Sequence, residues 1–250
     1  MTHPLIEALH GGRRQLGLWL TIEDPLVAEM LSALGYDWLL IDCEHTPMGP
    51  REALRLMQAA ARGRSEVVVR TSQLDEAEFK KFLDIGATAL MVPDVRTPEA
   101  ATRAARAVEY GPAGLRGMAG PSRASGFGAA PDYARTARDG LALILQVESV
   151  EALSNLEAIA AVPGVDALFV GPADLAASMG FPGEPSHPEV VAASIDAIVR
   201  IRRSGLPAGF LTPDPDVLDR ALDAGCDLVA VAIDSVLLRD GAAAALAHRR

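Results

Sequence analysis

Eight short apolar runs alternating with helical patterns predict a (β/α)8 barrel with parallel strands. Three observations carry that expectation. The chain has 250 residues, long for a simple open sheet and typical of one such barrel. Each apolar run is short enough to be a strand buried on both faces. The phrases LSALGYDWLLID, FLDIGATALMVP and RALDAGCDLVAVAI repeat one pattern, a helix stopped by Gly and followed by a strand. A single domain spanning residues 1–250 is therefore expected.

In chain order the strands are expected at Leu16–Leu20, Trp38–Asp42, Glu66–Arg70, Ala87–Val92, Leu141–Val147, Ala167–Val170, Pro207–Leu211 and Leu228–Ala232. Helices are expected at Pro25–Leu34, Pro50–Ala61, Asp75–Ile85, Pro98–Glu109, Val150–Ala161, Pro188–Arg203, Pro215–Ala224 and Ser235–His248. Several open with Pro in the first turn, where its missing N–H costs nothing. Gly35, Gly86, Gly164, Gly205 and Gly225 fall where helices should stop. In Val150–Ala161, Val150, Leu153, Leu156 and Ile159 mark one apolar face. The first residues and the closing AHRR read as ordinary terminal segments. One connection breaks the rhythm: Gly111 to Asp139 is rich in Gly, Pro, Ser and Arg and has no clean period. A loop this long is functional or disordered, and it is expected either to cover the site or to build an oligomer contact.

Composition narrows the function. No apolar run reaches 18 residues and the N-terminus has no long apolar stretch, so neither a membrane span nor a secretory signal is expected. Cys43 and Cys226 form no CxxC motif, and reduced thiols in a cytoplasmic chain are the default. A net charge of −10 argues against nucleic acid or an anionic membrane as partner and suits an enzyme acting on small molecules. The only lysines are Lys80 and Lys81, within EAEFKKFLDIGA, and neither sits where a barrel strand would end. A Schiff-base lysine is therefore not expected, nor is a nucleotide cofactor.

Barrel active sites are assembled at the carboxyl ends of the strands. The fifth and sixth strands deliver Glu148 and Asp174 to the same end of the sheet, because a βαβ crossover makes them parallel neighbours. Two carboxylates without His or Cys suit a hard divalent cation such as Mg²⁺ or Mn²⁺. A helix cap at Asp174 and a solvated loop at Glu148 are the plainer alternative. The second strand delivers Asp42, Glu44 and His45, the third Arg70, and the fifth Gln146. Asp42, three residues before His45, can hydrogen-bond one ring nitrogen and leave the other free as a base. A guanidinium ending an apolar strand needs an anion: a substrate carboxylate, or an internal salt bridge to Asp42 or Glu44. The turn Gly171-Pro172-Ala173-Asp174 leads into a helix and offers free N–H groups as a second anion site. Together these parts suit a 2-oxo acid held through its keto and carboxylate oxygens, a metal-stabilised enolate, and His45 moving protons.

The stretches GLWL (17–20), GYDWLLIDCEHTP (35–47), VVVR (67–70), FLDIGATALMVPDV (82–95), GLRG (114–117), QVES (146–149) and GVDALFVGPADLAASMG (164–180) closely resemble the HpcH/HpaI class II aldolases. The resemblance implies a (β/α)8 barrel assembled as a hexamer, a dimer of trimers. It implies Glu148 and Asp174 as ligands of Mg²⁺, Mn²⁺ or Co²⁺, and His45, paired with Asp42, as the acid/base group acting through a metal-held water. Arg70 is implied to hold the pyruvyl unit, while Gln146 and the Ala173–Asp174 backbone line its pocket with Gly171 and Pro172. Asp84 is implied to come from a neighbouring subunit. The implied reaction is reversible cleavage of a 4-hydroxy-2-oxo acid to pyruvate, or a close 2-oxo acid, and an aldehyde. Thr46-Pro47-Met48, Leu211-Thr212-Pro213 and the 111–139 loop are the candidates to face the aldehyde. The alternative within the same superfamily is a CoA-ester lyase of malyl- or citryl-CoA type, although no basic site for the CoA phosphates stands out.

Overall fold

The computed structural model describes residues 2–247. Helix α1 (Pro4–His10) precedes β1 (Gln15–Leu20), and then α2 (Pro25–Ser32), β2 (Trp38–Asp42), α3 (Pro50–Ala60), β3 (Glu66–Arg70), α4 (Glu76–Asp84), β4 (Ala89–Val92) and α5 (Pro98–Ala107) alternate. A short α6 (Tyr133–Thr136) leads into β5 (Ala142–Val147), followed by α7 (Val150–Ser154), α8 (Leu156–Ala160), β6 (Ala167–Val170), α9 (Pro172–Ser178) and α10 (Pro188–Arg203). The chain ends with β7 (Ala208–Leu211), α11 (Pro215–Asp223), β8 (Leu228–Ile233) and α12 (Asp234–Ala247). The eight strands pair in chain order, all parallel, and β8 closes on β1. This is a (β/α)8 barrel. The expected end of the last helix, His248, lies outside the described residues.

The pleat divides each strand between two cores. Leu39, Ile41, Leu143, Leu145, Leu168 and Val170 face the helices, while Trp38, Leu40, Val68, Met91, Ile144 and Phe169 fill the barrel. Trp19, Trp38 and Phe169 meet inside it with ring centroids 5.5–6.4 Å apart. Two of these rings have a glycine as a strand neighbour: Gly17 pairs with Trp38, and Gly209 with Phe169. A Cβ at Gly17 would lie 2.1 Å from the Trp38 ring, and one at Gly209 would lie 2.2 Å from Phe169. Those glycines exist to admit the rings. The same parity that buries Trp38 and Leu40 turns Asp42 inward, and Val68 does so for Arg70. Ala142 and Ile144 set Gln146 on the inside in the same way.

Three expectations need correction. The N-terminal segment is not a loose terminus: Leu5, Ile6 and Leu9 of α1 are buried in the barrel-interior cluster. The single helix expected over Val150–Ala161 is two, broken at Asn155, whose Nδ2 donates to the Arg96 carbonyl (2.9 Å) instead of continuing a helical face. Val150 is exposed, and Ala152 is the buried residue of α7. The 111–139 connection joins the end of α5 to the start of β5, so it lies at the amino-terminal end of the barrel and cannot cover this chain's own carboxyl-end site.

His3 ties α1 down. Its Nδ1 accepts the Leu5 N–H (3.2 Å), which leaves Nε2 to donate to Thr88 Oγ1 (3.1 Å). Burial pushes its pKa down to about 4. Between that value and the ordinary one near 6.5 the unfolded chain binds a proton that the folded chain refuses, so stability falls as pH falls through this window. The full effect is roughly 3 kcal/mol, capped by the work of detaching α1 alone. His3→Asn retains the capping acceptor without the proton. Its melting temperature is expected to drop less than the parent's between pH 6.5 and 4.5; parallel curves would place the acid sensitivity elsewhere.

Candidate active site

The carboxyl ends of the strands surround a cavity of about 600 Å³ lined by Trp19, Asp42, His45, Arg70, Gln146 and Glu148, together with Phe169, Gly171–Asp174 and Leu211. A second, polar cavity of about 370 Å³ adjoins it through Glu148 and Asp174 and is otherwise lined by Glu44, Asp94, Arg96, Ser149, Ala177 and Ser178. The structure therefore brings together every expected site residue except Asp84. That carboxylate stands at the end of α4, the opposite end of the barrel, where it accepts from Arg116 Nη2 (3.1 Å). Thr46, Pro47 and Leu211 line the large cavity as expected, whereas Met48 is buried in the outer core. Lys80 and Lys81 lie on α4, outside both cavities.

Arg70 is buried and held from one side. Its Nε and Nη2 donate to Asp42 Oδ1 (3.0 Å) and Oδ2 (2.8 Å), a two-point contact between register neighbours of β2 and β3. Nη1 lies 2.7 Å from Glu44 Oε2 and 3.5 Å from Gln146 Oε1. Of the two partners that sequence offered Arg70, the internal salt bridge is thus present, and it leaves Nη1 as the donor directed away from Asp42. The pairing of Asp42 with the His45 ring is not formed. Asp42 Oδ1 instead accepts the backbone N–H groups of Glu44 (3.0 Å) and His45 (3.4 Å), shaping the turn. The His45 ring is 60% exposed, and its Nε2 lies 3.6 Å from Glu44 Oε2.

Glu148 is 3% exposed. Its Oε1 accepts the Asp94 N–H (2.7 Å) and its Oε2 accepts from Gln146 Nε2 (2.7 Å). Burial pushes its pKa up to about 8, a rise the Asp94 N–H opposes and the nearby Asp174 and Glu44 carboxylates reinforce. Burial likewise raises Glu44, against the pull of Arg70 and His45, and its buried Oε2 has no partner in hydrogen-bond geometry. Four carboxylates, those of Glu44, Asp94, Glu148 and Asp174, line one polar cavity, where Arg96 pairs with Asp94 and Arg70 reaches Glu44 from the neighbouring cavity. An oxygen-only set of this kind fits a hard divalent cation. Among the described residues no three or more His, Cys, Asp or Glu converge to enclose a metal. Glu148 and Asp174 would thus leave much of its shell to water or substrate. Gly171 makes the arrangement possible, since a Cβ there would lie 2.1 Å from Glu148 Oε2.

Asp174 sits in the first turn of α9, whose Ala173 and Asp174 N–H groups precede the first intrahelical donors and face the large cavity's end of the helix. Sequence reading missed Trp19, whose ring stacks under Arg70 at 5.3 Å, and Phe169 beside it. Both follow from strand parity. It also missed Asp94, for which only its place two residues past β4 was a signal.

The profile of the HpcH/HpaI aldolase/citrate lyase family matches residues 15–241. The chain belongs to this family. It is 48% identical over 242 residues to a hydroxypyruvate/pyruvate aldolase of Sagittula stellata, covering 97% of this chain and 94% of that one. It is 44% identical to a 4-hydroxy-2-oxo-heptane-1,7-dioate aldolase of Salmonella dublin, over 99% and 95% of the two chains. The crystal structure of an HpcH/HpaI aldolase/citrate lyase family protein from Burkholderia cenocepacia J2315 superposes with a TM-score of 0.94 at 40% identity, over the whole of both chains. Membership and these relatives make this HpcH/HpaI chain a carbon–carbon lyase of the aldolase type. Among its described residues no helix is long and apolar enough to cross a membrane.

Proposed function

We propose that this aldolase cleaves a 4-hydroxy-2-oxo acid reversibly to pyruvate, or a close 2-oxo acid, and an aldehyde, with a divalent cation held by Glu148 and Asp174. The observation that carries the reading is the inward ring of Arg70, Gln146 and Glu148 on a single cavity that also holds Asp174. When bound, Mg²⁺, Mn²⁺ or Co²⁺ supplies Lewis acidity to the 2-oxo group. Arg70 Nη1, its plane fixed by Asp42, donates to the pyruvyl oxygens where negative charge develops. The Ala173 and Asp174 N–H groups take the substrate carboxylate, and Gln146 bridges Arg70 and Glu148 so that the two charges keep their spacing. His45, at the open side of the cavity, accepts the 4-hydroxyl proton as the C3–C4 bond breaks. The bond pair passes into the pyruvyl unit, and the proton taken up by His45, returned to C3, gives pyruvate. Thr46, Pro47, Leu211 and the apolar wall toward Ile233 and Val236 face the departing aldehyde. A catalytic Asp84 must come from a second copy, as in the hexamer that the family resemblance implies.

Enolisation is testable without knowing the aldehyde. Deuterium should enter the pyruvate methyl group in D₂O, disappear with EDTA and return with Mn²⁺, as followed by proton NMR. His45→Ala is expected to slow exchange by about 10²-fold, and an unchanged rate would move the base elsewhere. Exchange on acetyl-CoA and none on pyruvate would overturn the 2-oxo acid reading in favour of a thioester donor.

A further inference from the structure

The β4–α5 turn carries one of the two non-glycine residues with positive φ among the described residues, Asp94 at +52°. This conformation is rare for a side-chain-bearing residue, and Asp tolerates it better than most. Here it has a consequence. Asp94 directs its N–H to Glu148 Oε1 (2.7 Å), while the next N–H, of Val95, reaches the Gln146 carbonyl (3.1 Å). Two successive donors thus converge on the end of β5. They reach the buried carboxylate and the backbone of the residue that contacts its other oxygen.

The turn is locked from the solvent side. Arg96 Nε donates to Asp94 Oδ1 (2.7 Å), its Nη1 approaches Glu151 (3.9 Å), and its carbonyl accepts from Asn155 Nδ2 (2.9 Å). Asn155 occupies the break between α7 and α8. The break in the expected helix therefore serves a contact: an unbroken helix would not place this amide on the β4–α5 turn. Val95 is fully buried and anchors the same turn from beneath.

We propose that Asp94 is a positioning residue: its left-handed backbone, clamped by Arg96 and Asn155, fixes Glu148 and thereby sets the cation affinity of the Glu148–Asp174 pair. This rests on the metal reading above. The role belongs to the backbone conformation, with the Asp94 carboxylate acting only as the handle that Arg96 holds. Partners that orient ligands behind a metal site typically change its affinity by about 10-fold or more.

The test is Mn²⁺ binding to the metal-free enzyme, measured by electron paramagnetic resonance titration without substrate. Asp94→Ala loses the Arg96 contact and disfavours positive φ; Asp94→Gly loses the same contact but adopts that φ freely. The Kd for Mn²⁺ should rise about tenfold in Asp94→Ala, and by much less in Asp94→Gly. Arg96→Ala, at a half-exposed position that will not endanger folding, should fall between them and carries the test if Asp94→Ala fails to fold. Equal Kd values for the Gly and Ala variants would assign the effect to charge and overturn the proposal, as would wild-type affinity in all three. If wild-type protein binds no Mn²⁺, the metal reading itself falls, and this proposal with it. Mn²⁺ binding that Glu148→Gln abolishes but the Asp94 and Arg96 variants leave untouched would sink this proposal alone.

Discussion

Arg70→Ala should lower kcat for pyruvate-forming cleavage by about 10³-fold or more, because it removes the donor facing the developing negative charge. It should also destabilise the fold. Asp42 is 2% exposed and gives both carboxylate oxygens to Arg70, so truncation strands a buried charge beside the half-buried Glu44. Breaking such a pair from one side costs about 3–5 kcal/mol. The loss of activity in this variant therefore has two sources, which Arg70→Lys separates. Lysine keeps the charge, and the melting temperature should stay much nearer the parent's. A single ammonium cannot hold both Asp42 oxygens while presenting a fixed second donor, so kcat should still fall by about 10²-fold. Folded Arg70→Lys with near-native turnover would show that only positive charge is needed, and the role of the guanidinium fork would fail. An Arg70→Ala protein that turns over normally would remove Arg70 from the chemistry altogether.

The part of this site that was legible from sequence is the part fixed by strand parity and strand ends. Short apolar runs, Pro at helix starts and Gly at helix stops placed all eight strands to within two residues at either end, and with them Arg70, Gln146, Glu148 and Asp174. What escaped is the choice of partner among residues already identified. Spacing along the chain offers Asp42 the His45 ring, three residues on, and leaves the Arg70 salt bridge only as an alternative. In a parallel sheet the competing neighbour is across the ladder, about 4.8 Å away at the same level, and Asp42 stands opposite Arg70. His45 lies past the turn and has left the inward-facing row. Register decides such pairings, and register is a property of two strands together. The α7–α8 break was hidden for a similar reason. The apolar spacing of Val150, Leu153, Leu156 and Ile159 is compatible with one helix, and only the Arg96 carbonyl across the groove gives Asn155 a reason to interrupt it. The backbone of Asp94 left no trace that composition or period could detect. The N-terminal helix escaped because seven residues are too few to show a period, although Leu5, Ile6 and Leu9 carry its buried face.

Glu148→Gln is expected to abolish turnover and cation binding together while leaving the barrel folded. Glutamine preserves the shape of the side chain. Its Oε1 can still accept the Asp94 N–H, and the volume is unchanged. One acceptor toward Gln146 becomes a donor, which a flip of the Gln146 amide accommodates at the cost of its long contact with Arg70 Nη1 (3.5 Å). The variant chiefly loses the negative charge. In the parent that charge is buried next to Asp174 and Glu44, which is why the carboxyl resists ionisation up to a pKa of about 8. A site that suppresses ionisation this strongly gains most from a cation, so removing the charge should relieve the metal-free protein and raise its melting temperature. Loss of activity with a gain in stability is the signature expected of a residue kept for function against its own energetics. Gly171→Ala gives an independent approach to the same carboxylate. Its Cβ would lie 2.1 Å from Glu148 Oε2, so the side chain must move, and cation affinity should fall although no charge has changed. Isothermal titration with Mn²⁺ alongside thermal melts reads both variants. Full metal stoichiometry in Glu148→Gln would show that the cation sits elsewhere. Intact affinity in Gly171→Ala would show that the carboxylate tolerates displacement, and that its placement matters less than its charge.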